Sequence, residues 1–129
     1  MGATRDIALN ELPIRGLSIN ADAAGQSVAV AASDSGIIFI NKEDAGLVTY
    51  TLPAVADCAG KWFWFYNAQT AADLKILGGT ADVFIGGGAE AGDFMDTNAS
   101  YTGDAAIVFG DGTYYYLLPL HGTWDTGNT

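Results

Sequence analysis

Short apolar runs recur along residues 27–120, separated by junctions rich in Gly and Asp, at a spacing of about eight to twelve residues. The runs are "SVAVAA" (27–32), "IIFI" (37–40), "LVTYTL" (47–52), "KWFWFY" (61–66), "LKIL" (74–77), "DVFIG" (82–86), "DAAIVFG" (104–110) and "TYYYLLPL" (113–120). β-Branched and aromatic residues dominate them, as strands require. No stretch of helical period and length lies between them, which speaks against a βαβ architecture. Only "AVADCAG" (54–60) suits a single helical turn, after Pro53 has ended a strand. The pattern predicts an all-β fold, a small antiparallel β-sandwich or barrel, with the β-domain at 27–126 and a short tail at 127–129. Turns are expected at "SDSG" (33–36) and at "GDG" (110–112), where Asp111-Gly112 suits a two-residue hairpin turn. The segment 86–103 reads as a long loop with an irregular strand inside. No strong internal repeat is visible.

One run breaks the usual alternation of a half-wet strand. In "KWFWFYN" (61–67), Trp62, Trp64 and Tyr66 share one face, and Phe63 and Phe65 share the other. Both faces are aromatic. The strand is expected to be central and dry on both sides, against its own core on one side and another subunit on the other.

Residues 1–26 differ from the rest. Apolar residues are scattered through "MGATRDIALNELPIRGLSINADAAGQ", and Pro13 prevents a long helix. The segment reads as an extended N-terminal arm holding at most a short strand. Whether it lies along a neighbouring subunit or is a loose terminus stays open from the residues alone. Ile7, Leu9, Leu12, Ile14 and Leu17, with Arg5 and Arg15, are its candidate contact residues. The arginines stand out because the chain has only 5 Lys and Arg against 15 Asp and Glu, for a net charge of −10. An arginine makes two-pronged bonds to carboxylates.

That charge disfavours nucleic acid and anionic membrane surfaces as partners. No apolar run approaches the length of a membrane span, and the first residues lack the apolar core of a secretory signal. The one cysteine, Cys58, forbids a disulfide within the chain and a multi-cysteine zinc site, so folding in a reducing cytoplasm is the simplest expectation. Asp57 beside it opposes thiolate formation, so Cys58 reads as a buried structural thiol.

Catalytic signals are thin. His121 is the only histidine, and no nucleophile elbow accompanies it. Acid pairs such as Asp93 with Asp96, or Asp82 with Glu90, carry no specificity in so acidic a chain. Glu90, Asp93 and Asp96 offer a weak calcium site without the spacing of a known loop. "GGG" (86–88) lacks the lysine and helix of a phosphate loop. The expectation is a protein without catalytic residues, cofactor or metal. Trp124 and Tyr114-Tyr115-Tyr116 suit either sugar stacking or subunit contacts, and the enrichment of such residues at interfaces favours the second.

Four short motifs, Asp34-Ser35-Gly36, Thr51-Leu52-Pro53, Gly110-Asp111-Gly112 and Gly122-Thr123-Trp124, span most of the chain. In this order, around the strand "GKWFWFYNA", they resemble small β-rich virion domains of tailed bacteriophages, of the capsid decoration (cement) and head-fibre type. The resemblance implies a non-enzymatic structural protein. It implies a homotrimer on the capsid exterior of the virion, bound to the major capsid protein and synthesised in the host cytoplasm. The lack of a long shaft favours decoration over fibre. Trp64, Tyr115 and Trp124 join the arm residues as expected oligomer or capsid contacts. The competing expectation is a carbohydrate- or receptor-binding module of a phage fibre, which requires Trp124 and one face of the tyrosine run 114–116 exposed in a groove.

Overall fold

The computed structural model describes residues 14–21, 27–42, 47–69, 74–78, 84–85, 94–97 and 102–127. Eleven strands are present among them: β1 (Gly16–Asn20), β2 (Ser27–Ala29), β3 (Ile37–Asn41), β4 (Val48–Thr51), β5 (Trp62–Asn67), β6 (Leu74–Leu77), β7 (Phe84–Ile85), β8 (Phe94–Thr97), β9 (Asp104–Gly110), β10 (Tyr115–His121) and β11 (Trp124–Gly127). They form two sheets. Sheet A has the order β1-β3-β5-β9-β10-β7, and sheet B the order β11-β8-β6-β4-β2. The fold is all-β, and neither sheet closes into a barrel among the described residues.

The expected antiparallel arrangement is corrected. Strands β1, β3 and β5 run parallel in sheet A, and β2, β4 and β6 run parallel in sheet B. The chain alternates between the sheets, so each crossover of one sheet is a strand of the other. Parallel neighbours need a long return connection, which is usually a helix. Here a strand on the opposite layer serves, and the first six strands wind as a flattened coil. One turn of the coil carries Leu17 to its neighbour Ile38, and the next carries Ile38 to Trp64. The antiparallel pairs come later: β5 with β9, β9 with β10, β6 with β8, and β8 with β11.

The core lies between the sheets. From sheet B it takes Val48, Tyr50, Leu74 and Ile76, and from sheet A Phe39, Phe63, Phe65, Val108, Tyr115 and Leu117. Period-two alternation places these residues inward together. Phe39, Tyr50 and Phe65 meet at ring-centroid distances of 5.3 to 5.7 Å and join the two layers. Cys58 is buried, as its sequence context predicts, and burial pushes its thiol pKa up.

Turn chemistry fixes the ends. The 33–36 turn overlaps a short 3-10 helix, Ala32–Asp34, and Gly36 takes the left-handed φ of 88°. The helical turn expected within 54–60 is a second 3-10 helix, Val55–Asp57. The β9–β10 hairpin is closed by the bond from Asp111 N–H to Tyr114 O, which makes Gly112 and Thr113 its central pair. The turn is thus one residue beyond the Asp111-Gly112 pair. Asp111 serves it from the flank, because its Oδ1 accepts the N–H groups of Thr113 (2.7 Å) and Tyr114 (2.6 Å). Strand β1 lies within the segment read as an arm and is hydrogen-bonded as an edge strand of sheet A.

Candidate interaction face and buried polar row

The two sheets differ in what they show to solvent. On sheet B the register aligns Ser27, Thr49 and Lys75 on the outer side, a polar row of the kind a wet face requires. On sheet A the corresponding row is Leu17, Ile38, Trp64, Ile107 and Leu118, paired strand to strand across β1, β3, β5, β9 and β10. A second row runs Ile19, Ile40, Tyr66 and Ala105 and ends at His121, and a third runs Trp62, Phe109 and Tyr116. Apart from His121, none of these residues is an Asp, Glu, Lys or Arg or any other charged type. Trp62 and Ala105 are buried, and the Tyr116 hydroxyl donates to the Asp111 carboxylate at the margin. Leu17 is 60% exposed, Ile19 58% and Leu118 47%. Ile38, Ile40, Trp64, Tyr66, Ile107 and Phe109 are half-buried by their neighbours in the sheet. This is a continuous apolar surface on one side of the molecule, of the kind that marks an interaction site.

The aromatic strand therefore has two different faces. Phe63 and Phe65 are fully buried in the core. Trp64 and Tyr66 stand on the outer face, half covered by sheet neighbours, and the buried indole N–H of Trp64 has no hydrogen-bond partner. An unpaired buried donor of this kind costs about 1–3 kcal/mol.

A buried polar row crosses the same sheet at one end. Asn20, Asn41, Asn67 and Asp104 are register partners on β1, β3, β5 and β9. Asn41, Asn67 and Asp104 are completely buried. Asn41 Nδ2 donates to Asn67 Oδ1 at 3.2 Å, and His121 Nδ1 lies 3.2 Å from Asp104 Oδ1. The carbonyls of Asn20, Asn41 and Asn67 accept backbone N–H groups of Lys42, Ala68 and Gly103 respectively, where each following strand ends or begins. Gly122, with φ of 85°, packs its backbone over the Asp104 carboxylate, and a Cβ there would collide with it. The Asn41, Asn67 and Asp104 side chains meet polar partners within this region, whereas the buried Asn20 Nδ2 finds no hydrogen-bond partner. His121 and Asp104 together have the look of a base and its orienting carboxylate. No cluster of three metal-ligating side chains occurs among the described residues.

The remaining expected site residues fall in varied places. Arg15 is exposed, and its guanidinium Nη1 donates to the carbonyls of Ser33 and Ser35 at 3.0 Å each, so it braces the 33–36 turn of its own chain. Ile14 is exposed at the entry to β1. Tyr115 is fully buried, and its hydroxyl donates to the Pro53 carbonyl at 2.6 Å. Trp124 is 5% exposed, and its indole N–H is shared between the carbonyls of Ala105 and His121. Tyr115 and Trp124 are thus core residues of a single chain, because each fills space between its own sheets and finds a buried acceptor there. Arg5, Ile7, Leu9 and Leu12 lie outside the described residues, as do Glu90 and Asp93. Asp96 is on β8, opposite Lys75. Missed by sequence reasoning were Leu118 and Ile107, whose exposure depends on which face of β9 and β10 turns outward.

No protein-family model, curated protein or solved structure matches the chain.

Proposed function

We propose that this chain is a non-enzymatic virion structural protein, a capsid decoration protein that self-associates and binds the outer surface of a capsid. The observation that carries the reading is the apolar outer side of sheet A. A chain of net charge −10 keeps its copies apart by repulsion over most of its surface. A large apolar patch whose central row has no charged residue is a place where another surface is meant to sit. The phage-like motifs at Asp34-Ser35-Gly36, Thr51-Leu52-Pro53, Gly110-Asp111-Gly112 and Gly122-Thr123-Trp124 support the capsid as the setting and the homotrimer as the assembly. On this reading the two-sheet body is a sandwich, and the part of the 1–26 segment that precedes β1 is an extended arm reaching to the major capsid protein. Arg5, Ile7, Leu9, Leu12 and Ile14 supply its contacts, while Leu17, on β1, belongs to the outer side of sheet A. Each copy bridges neighbouring capsid subunits, and the area buried at the joint opposes their separation under internal pressure.

The sugar- or receptor-binding alternative required Trp124 and one face of the tyrosine run exposed together in a groove. Tyr114 and Tyr116 are exposed, but the Trp124 ring lies inside the core, so the platform is incomplete and assembly is the favoured reading.

The test is to mix the purified chain with undecorated capsids of the source virus. Saturable binding is expected, with a rise in the temperature or force at which the capsids open. Absence of binding together with a monomer in solution overturns the proposal.

A further inference from the structure

The outer side of sheet A has an order along its central row as well as an apolar character. Read from β1 to β10 the row is Leu17, Ile38, Trp64, Ile107, Leu118. It reads the same in both directions: leucine, isoleucine, tryptophan, isoleucine, leucine. The two flanks come from opposite ends of the chain and from parallel and antiparallel pairings, so no sequence repeat generates this symmetry.

A surface that meets a copy of itself must be complementary to its own image. In a face-to-face pair related by a two-fold axis along the strands, the β1 flank of one copy lies against the β10 flank of the other. In a closed ring with these sides turned to the axis, the β1 flank of each copy again meets the β10 flank of the next. In either arrangement aliphatic residues of similar size meet, and Trp64 sits at the centre, where buried aromatic anchors concentrate. Five strands about 4.8 Å apart and five to seven residues long make a side of about 20 Å by 20 Å. That is about 400 Å² per copy from this side alone, about half the per-partner area of a standard interface, so the arm or a ring of copies must add to it.

The same row argues against other occupants. A basic partner would look for carboxylates, and this central row has none. Sheet B, whose outer row is polar, offers no rival apolar surface among the described residues.

We propose that the outer side of sheet A is the surface through which copies of this chain join, with the β1 flank of one copy seated on the β10 flank of another. The proposal deepens the reading of the chain as a self-assembling protein and rests on its self-association, without depending on the capsid. Leu17 and Leu118 become neighbours across the joint. Trp64 is buried on assembly.

Two variants of the full chain, Leu17→Cys and Leu118→Cys, test the geometry. Both positions are exposed, so both variants keep the fold, and the natural Cys58 is buried and does not compete. Mixed and oxidised, the two proteins are expected to crosslink to each other, with far less crosslinking when either is oxidised alone. A third variant, Leu118→Glu, places a carboxylate at the joint and is expected to weaken association by at least about a hundredfold. Its strand content by circular dichroism should stay that of the wild type.

Crosslinking and dissociation together support the proposal. A wild-type oligomer that ignores Leu118→Glu and gives no mixed crosslink overturns this assignment and leaves capsid decoration standing. A wild-type monomer at every concentration overturns both. So does a monomer that associates only when residues 1–13 are removed, because those residues would then be the occupant of this side.

Discussion

Trp124 shows what one residue's position decides. As a ligand platform it would be dispensable for folding. As found, it closes the space between the sheets and satisfies its N–H on two carbonyls. Trp124→Ala should therefore cost about 3–5 kcal/mol of stability, read as a lowered midpoint in urea or heat. An unchanged midpoint would contradict that placement. Asp111 carries a second prediction. The Tyr116 hydroxyl at 2.6 Å, followed by the backbone N–H of Tyr114, holds the Asp111 carboxyl below its ordinary pKa. The folded state therefore binds fewer protons there than the unfolded state. The stability this gives is complete above about pH 4, the ordinary aspartate value, and is lost as pH falls through the folded value. The acid limb of the stability curve should become shallower in Asp111→Asn. The sequence marked Asp111 as a turn residue and Trp124 as an aromatic worth following. It did not show that Trp124 points inward, because the short strand that carries it, β11, has no alternating pattern to read.

Strand existence was legible because apolar runs and Gly or Asp junctions are local signals. The runs at 74–77 and 104–110 coincide with β6 and β9. Pairing direction was not legible. A strand flanked by parallel neighbours and one flanked by antiparallel neighbours bury the same residue types. The two turns of the coil also differ in length, from 17 to 38 and then from 38 to 64, so no fixed period appears. The polar row was hidden for the same reason. Asn20, Asn41 and Asn67 are far apart in sequence and become neighbours only through parallel register. Asn67→Ala removes the acceptor of Asn41 Nδ2 inside a buried row. It should cost about 1–3 kcal/mol, measured by denaturant unfolding, with little change at room temperature in the native circular dichroism spectrum. The same substitution at an exposed strand position would be nearly neutral.

At the scale of the whole molecule, the aromatic strand 62–67 explains why one layer is wet and the other is not. Phe63 and Phe65 anchor the core. Trp64 stands on a row where five strands contribute apolar residues and no charge. The expectation of a strand dry on both sides was thus half met within one chain, and the second half is the task of an assembly. The direct measurement is the mass of the purified full-length chain in solution by light scattering, across a range of concentrations. The account predicts a stable multiple of the 13.4 kDa chain, three copies on the proposed assembly, and its collapse to a single chain in Leu118→Glu. A well-folded wild-type species of 13.4 kDa at every concentration, with the outer side of sheet A open to solvent, would contradict it.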